Sequence, residues 1–271
     1  MNPVSFSWPH GKAGALTSSW DDGTIHDRKL VSIFNRWGLK ATWNLNSGML
    51  GLTAAESGWK DYISASEVKD LYAGHEVACH SASHPLLHRL PKGRIFSEVI
   101  EDRRNLERLV GYPVQGMALP FSHTCDPWVT TQLQAAGILY LRAITDKHCF
   151  DPPGDFFAWT VTCHHKANWA KLWQKFQSRP QADKVFFLWG HSYEFDTDNN
   201  WDLIETFARH VSIEAAVWHA TNMEIYEYVT AWRNLQCGVE MTCIKNGSAV
   251  ALWVRVGDSL RTIGPGEVIE V

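Results

Sequence analysis

The run Gly74-His75-Glu76-Val77-Ala78-Cys79-His80-Ser81-Ala82-Ser83-His84-Pro85 carries most of what the chain says about its own architecture. Val77 to Cys79 is a short apolar stretch, a buried strand by composition, and it delivers His80 and His84 just past its end. A loop or helix start there can aim both imidazoles at one point. Imidazole is the commonest protein ligand for zinc, and a catalytic zinc takes three protein ligands while keeping a position open. The stretch therefore lacks one ligand, a carboxylate. Two histidines four apart on a turn are ordinarily just solvated polar residues, so the pair needs support from elsewhere in the chain.

Upstream, Ala15 to Trp20 reads as a strand that ends in Asp21-Asp22-Gly23. Asp-Gly after a strand is an ordinary turn signal. Two adjacent carboxylates at a strand end can also divide labour, one ligating a metal while the other accepts a proton. Ile25 to Trp37 carries a helical apolar face stopped by Gly38, and Lys40 to Leu45 is the next strand. Downstream the rhythm continues. Helices are expected from Ser66, over Ser97–Val110, Pro127–Ala136, Asn168–Gln177, Trp201–His210 and Asn222–Asn234. Strands are expected over Gln115–Leu119, Ile138–Ile144, Val185–Trp189 and Val217–Ala220. Alternating strands and helices with apolar strands imply a parallel sheet covered by helices, here a distorted β/α barrel spanning residues 1–236. Residues 237–271 read differently. Val239–Lys245 and Ala249–Val256 flank Asn246-Gly247, a hairpin signal, and Leu260–Ile263 and Val268–Val271 add two short strands. About 35 residues cannot hold a core of their own, so this small C-terminal β appendage is expected to pack on the barrel.

With 271 residues, 45% of them hydrophobic, one main domain is expected. A net charge of −4 leaves no basic field for a phosphate backbone, so nucleic acid is not an expected partner. No apolar run reaches the roughly 20 residues of a membrane span, and the first residues lack an export signal, so a cytoplasmic location is expected. The six cysteines form no CxxC pair and read as reduced thiols. Most of the 14 tryptophans read as core.

In such a barrel the active site collects at the C-terminal ends of the strands. Asp21 and Asp22 follow the first strand, His80 and His84 the third, and Gly190-His191-Ser192-Tyr193-Glu194 the apolar run Val185–Trp189. These residues resemble the polysaccharide deacetylases with a NodB-homology domain, carbohydrate esterase family four. The family's Thr-Phe-Asp-Asp-Gly is matched by Ser19-Trp20-Asp21-Asp22-Gly23, and its His-Ser/Thr-x-x-His by His80-Ser81-Ala82-Ser83-His84. Its Arg-x-Pro-Tyr/Phe is matched in part by Ala118-Leu119-Pro120-Phe121, and its Leu-x-His only by His191. Its Asp-x-x-Asp-Trp element has no counterpart, Asp151, Asp155 and Trp159 lying at the wrong spacing.

The resemblance, which spans about residues 13 to 232, implies a metal-dependent hydrolase of acetylated carbohydrate. Asp22, His80 and His84 would hold one divalent ion, zinc by the donor set. Asp21 would be the general base, His191 the general acid, and the Phe121 N–H an oxyanion donor. Trp189 and Tyr193 would contact the sugar. The family's arginine, which pairs with the base, falls on Ala118; Arg142 is the replacement candidate and is placed with the substrate-contacting residues. The partner of His191 stays unassigned, and His123 and His164 are the remaining histidines expected to line the cleft. His75-Glu76 followed by His80 misses the His-Glu-x-x-His spacing of zinc proteases by one residue. Two alternatives stay open: a hydrolase of small cyclic amides on the same fold, and a sugar-binding protein without catalysis that stacks its ligand on Trp43, Trp189 and Tyr193.

Overall fold

The computed structural model describes residues 4–121 and 126–271. Its strands, in chain order, are β1 (Val4–Ser7), β2 (Gly14–Asp22), β3 (Thr42–Leu45), β4 (Glu76–Cys79), β5 (Gly116–Ala118), β6 (Tyr140–Asp146), β7 (Trp159–Val161), β8 (Cys163–His164), β9 (Val185–His191), β10 (Val217–His219), β11 (Gln236–Cys237), β12 (Cys243–Lys245), β13 (Leu252–Val256), β14 (Ser259–Ile263) and β15 (Val268–Glu270). The large sheet runs β7-β6-β5-β4-β3-β2-β9-β8, with β10 added beside the start of β2, and its pairings are parallel.

The two ends of that sheet are one piece of chain. Only Thr162 separates β7 from β8; the first pairs with β6 (Arg142 opposite Trp159) and the second with β9 (Cys163 opposite Leu188). A single extended run thus changes partner midway and brings the sheet round into a nearly closed barrel, the architecture expected from the strand and helix alternation.

Helices follow the strands, and their limits follow local chemistry. Asp27–Arg36 buries Leu30, Val31, Ile33 and Phe34 on one face. Asn222–Arg233 opens on a capping box in which the Thr221 hydroxyl and the Glu224 carboxylate satisfy each other's backbone N–H groups. The helix expected from Ser97 begins five residues earlier, at Lys92, directly after Pro91, and ends at Gly111 in the left-handed conformation. Every residue of β2 is buried. It is flanked by β3 and β9 and is the strand that carries the aspartate pair.

The C-terminal reading needs two corrections. The stretch around Asn246-Gly247 is no hairpin: β12 pairs with β11 and β15, while β13 pairs with β14 and with β1. The Asn246 amide donates to the Val250 and Ile263 carbonyls, at 2.8 and 3.0 Å, which ties the bend to a third strand instead of folding it back on itself. Val4–Ser7, not expected to be a strand, lies against β13, so the two ends of the chain build one small antiparallel sheet. That sheet meets the barrel through Tyr228, whose hydroxyl donates to the Ser7 carbonyl at 2.6 Å and accepts from the Trp253 N–H at 2.9 Å. Among the described residues no helix is long and apolar enough to cross a membrane, and Cys79, Cys149, Cys163, Cys237 and Cys243 are free thiols.

Candidate active site and metal centre

The C-terminal mouths of β2, β4, β5, β6 and β9 surround a cavity of about 600 Å³. Its lining includes Asp21, Asp22, His80, His84, Phe121, Trp189, His191 and Tyr193, so eight of the nine residues given a role in the deacetylase site meet in one place. His123 falls outside the described residues.

At the floor, His80 Nε2 and His84 Nε2 approach each other to 3.1 Å, and both face Asp22 Oδ1, at 3.5 and 3.3 Å. His80 Nδ1 lies 2.9 Å from the Ala118 carbonyl. Since a carbonyl only accepts, Nδ1 carries the proton and Nε2 presents its lone pair. Burial lowers the His80 pKa to about 3 and that of His84 to about 4, which keeps both rings neutral and able to ligate. Three potential ligand atoms, two imidazole nitrogens and a carboxylate oxygen, therefore converge on one point. This is the arrangement a divalent cation satisfies, and two imidazoles with one carboxylate suit zinc. Burial together with the nearby Asp21 charge pushes Asp22 up to about 7.

The backbone is bent to make this arrangement. Asp22, Ser81, His84 and Phe121 all have positive φ, between 56° and 82°, four of eight such non-glycine residues in the described chain. Supports hold the bends. The Asn46 amide donates to the His80 and Ser81 carbonyls at 2.6 and 2.8 Å, and the Asp102 carboxylate accepts from the His80 and Ser47 N–H groups at 3.0 and 2.8 Å.

Asp21 faces a different set of partners. Arg142, with no exposed surface, places its guanidinium on both carboxylate oxygens, 2.5 Å from Oδ2, and the Asn44 amide donates to Oδ1 at 2.8 Å. Burial alone would raise the Asp21 pKa, but Arg142, His80 and His191 outweigh it and hold the group at about 2. Strand register explains how Arg142 replaces an arginine on β5: Ala118 and Arg142 are directly paired across β5 and β6. The guanidinium moves one strand sideways and reaches the same carboxylate. The expectation that Arg142 contacts substrate is corrected accordingly, because it lies behind Asp21 and does not line the cavity.

His191 ends β9 with Nε2 at 4.0 Å from Asp21 and 3.9 Å from Asp22. Its missing partner is Glu194, three residues on, whose carboxylate lies 3.0 Å from His191 Nδ1. Burial would lower the His191 pKa, but the Glu194 hydrogen bond and the charges of Asp22 and Asp21 hold it above the ordinary histidine value. His164 shares Glu194 at 3.1 Å and does not line the cavity, contrary to expectation. Glycine precedes His191 for a steric reason, since a Cβ on Gly190 would fall 2.1 Å from His165 Nδ1.

Trp189 and Tyr193 line the cavity as expected, but Trp43 does not. It is wholly buried between Phe34, Tyr72 and His75 and cannot stack on a ligand. The lining residues missed in the sequence are Met49, Trp59, Tyr62, Ser83, Leu119 and Ile144.

The parallel barrel thus carries, at its C-terminal mouth, an Asp-His-His cluster able to hold a divalent cation and, beside it, an aspartate held by arginine. Residues 9–140, just under half of the chain, match the family model for polysaccharide deacetylase, and this stretch carries the Asp21-Asp22-Gly23 and His80-Ser81-Ala82-Ser83-His84 motifs. Solved structures of similar fold include a Mycobacterium smegmatis protein ascribed to the polysaccharide deacetylases (TM-score 0.61, 17% identity, 84% of this chain and 93% of that one). Another is the peptidoglycan deacetylase PdaC of Bacillus subtilis (TM-score 0.53, 14% identity, 82% and 93%). A third is a family 4 carbohydrate esterase pseudoenzyme (TM-score 0.51, 16% identity, 81% and 68%). No curated protein matches the chain.

Proposed function

We propose that the protein hydrolyses acetyl groups from a carbohydrate, using one divalent cation held by Asp22, His80 and His84. The observation that carries this reading is the convergence of His80 Nε2, His84 Nε2 and Asp22 Oδ1 within 3.5 Å of one another. When bound, the cation supplies a Lewis acid for the acetyl carbonyl and raises the acidity of water. Every other task belongs to the chain.

Asp21 accepts the proton of the attacking water. With its pKa held at about 2 it is ionised at any working pH, and Arg142 and Asn44 fix the direction in which it presents its oxygens. His191, protonated and on the far side of the aspartate pair, donates to the departing nitrogen or oxygen as the acyl bond breaks and acetate forms. Glu194 holds His191 Nδ1 so that Nε2 faces the site. Phe121 closes one wall with its ring against His84, at 4.3 Å between centroids, and its N–H is the oxyanion donor.

A pseudoenzyme among proteins of similar fold makes activity the first thing to measure. Acetate release from acetylated oligosaccharides, N- and O-linked, should be metal-dependent: abolished by a chelator and restored by zinc. Binding of the same sugars without acetate release at any metal loading would leave the sugar-binding alternative in its place.

A further inference from the structure

The segment after β3 crosses the mouth of the cavity and is firmly tied down. Gly51 N–H donates to the Ile63 carbonyl at 2.8 Å, Tyr62 N–H to Leu52 at 2.9 Å, and Ile63 N–H to Gly23 at 3.0 Å, directly beyond the aspartate pair. It presents Trp59, 46% exposed, edge-on to Tyr193 at 4.9 Å between ring centroids, and Tyr193 in turn lies 5.2 Å from His191. Both rings line the cavity. Beside His191 the two rings thus form an aromatic corner, a shelf of one ring and a wall of the other, against which the apolar face of a sugar ring can pack.

The shelf carries a charge. Lys60 Nζ sits 4.9 Å from the Tyr193 ring centroid and 5.8 Å from that of Trp59. Among the described residues Lys60 has no carboxylate partner, whereas Lys40 pairs with Glu224 and Lys166 with Glu194 and Asp198. The adjacent Asp61 is turned away, its carboxylate accepting from the Ala54 N–H at 2.7 Å. Half-buried over two rings, the ammonium is held in place without being neutralised, which leaves it for an anion on the ligand.

We propose that the mouth of the cavity selects a sugar that carries a carboxylate, its ring on Trp59 and Tyr193 and its carboxylate on Lys60. The inference rests on the deacetylase reading for where the acetyl group goes; the acidic preference itself rests on Lys60 and the shelf.

N-acetylmuramic acid and N-acetylglucosamine, alike but for a lactyl carboxylate, are the probes. The wild-type protein should favour the acidic sugar by roughly tenfold or more in kcat/KM. Lys60→Gln should erase that preference by raising KM for the acidic sugar, with kcat and the neutral sugar's KM nearly unchanged. Trp59→Ala should raise KM for both. A wild-type preference for the neutral sugar, or a Lys60→Gln effect equal on both, overturns the proposal. If neither sugar releases acetate, the deacetylase reading fails by itself and calorimetric binding decides the question of Lys60: tighter binding of the acidic sugar, lost in Lys60→Gln, upholds it, and equal binding overturns it.

Discussion

Both ends of the barrel bury carboxylates, and they do so in opposite ways. At the N-terminal end, Glu76 accepts from the Thr42 hydroxyl at 2.8 Å, the Tyr140 hydroxyl at 2.7 Å and the Met223 N–H at 2.9 Å. At the C-terminal end, Asp22 faces two imidazole lone pairs and a second aspartate. The cost of burial is similar, since both groups are pushed up to about 7. Glu76 is satisfied by the chain itself; Asp22 is arranged for something the chain does not supply. A buried charge alone does not mark a functional site. What separates the two ends is whether the donors are already there.

The largest effect is expected at the C-terminal end. His80→Ala or His84→Ala should remove bound metal, read by elemental analysis, and drop acetate release to background, whereas Glu76→Gln should leave both intact. Stoichiometric metal retained by the double histidine variant would sink the ligand assignment. Next comes Asp21→Asn, which keeps the shape and removes the proton acceptor. Acetate release should fall by roughly 10²–10⁴-fold with metal retained. Loss of metal together with activity would instead make Asp21 a ligand.

A smaller effect sharpens the role of Glu194. His191 must be protonated to act as an acid, so activity is present below its raised pKa and lost as pH rises through it. Glu194→Gln removes a raising influence and should move the alkaline limb of the kcat profile to lower pH. At a fixed pH on that limb, turnover should drop about tenfold for every pH unit the limb has moved. An unmoved limb would dissociate Glu194 from the proton donor. The smallest effect belongs to the other end. Glu76 is raised from 4.5 to about 7, so the stability it contributes is complete below pH 4.5 and lost as pH climbs through 7. Relative to Glu76→Gln, the wild-type protein should lose roughly 3 kcal/mol across that window in denaturant titrations.

The parts of the site that lie next to each other in sequence are readable from it. Asp21-Asp22 and His80 to His84 each follow one strand, and strand-end placement is enough to bring them together. Arg142 is a candidate on sequence alone, but its contact with Asp21 depends on Ala118 and Arg142 being register partners, and packing sets register. Glu194 stands in plain view three residues after His191; that the two form a pair requires knowing that Ser192 begins a helix. Trp59, Lys60 and Tyr62 escape sequence reading, because nothing local says that their loop folds back over Gly23. Trp43 misleads because an aromatic in a strand carries no sign of which way it points. Asn246-Gly247 misleads for a related reason: an asparagine that bonds one carbonyl four residues on and another on a separate strand imitates the signature of a tight turn.

The left-handed backbone at Asp22, Ser81, His84 and Phe121 has a consequence for how this protein would respond to selection for robustness. Each of these residues holds a conformation that glycine adopts freely and that costs other side chains on the order of 1 kcal/mol or more. Glycine at Ser81, whose side chain is no proposed ligand, would relieve that cost, yet would free the hinge between the two histidines to wander. Screens that reward thermal tolerance alone should therefore gather substitutions around this rim and erode turnover as they do so. In this fold the places easiest to make more durable are those that most need to stay tense.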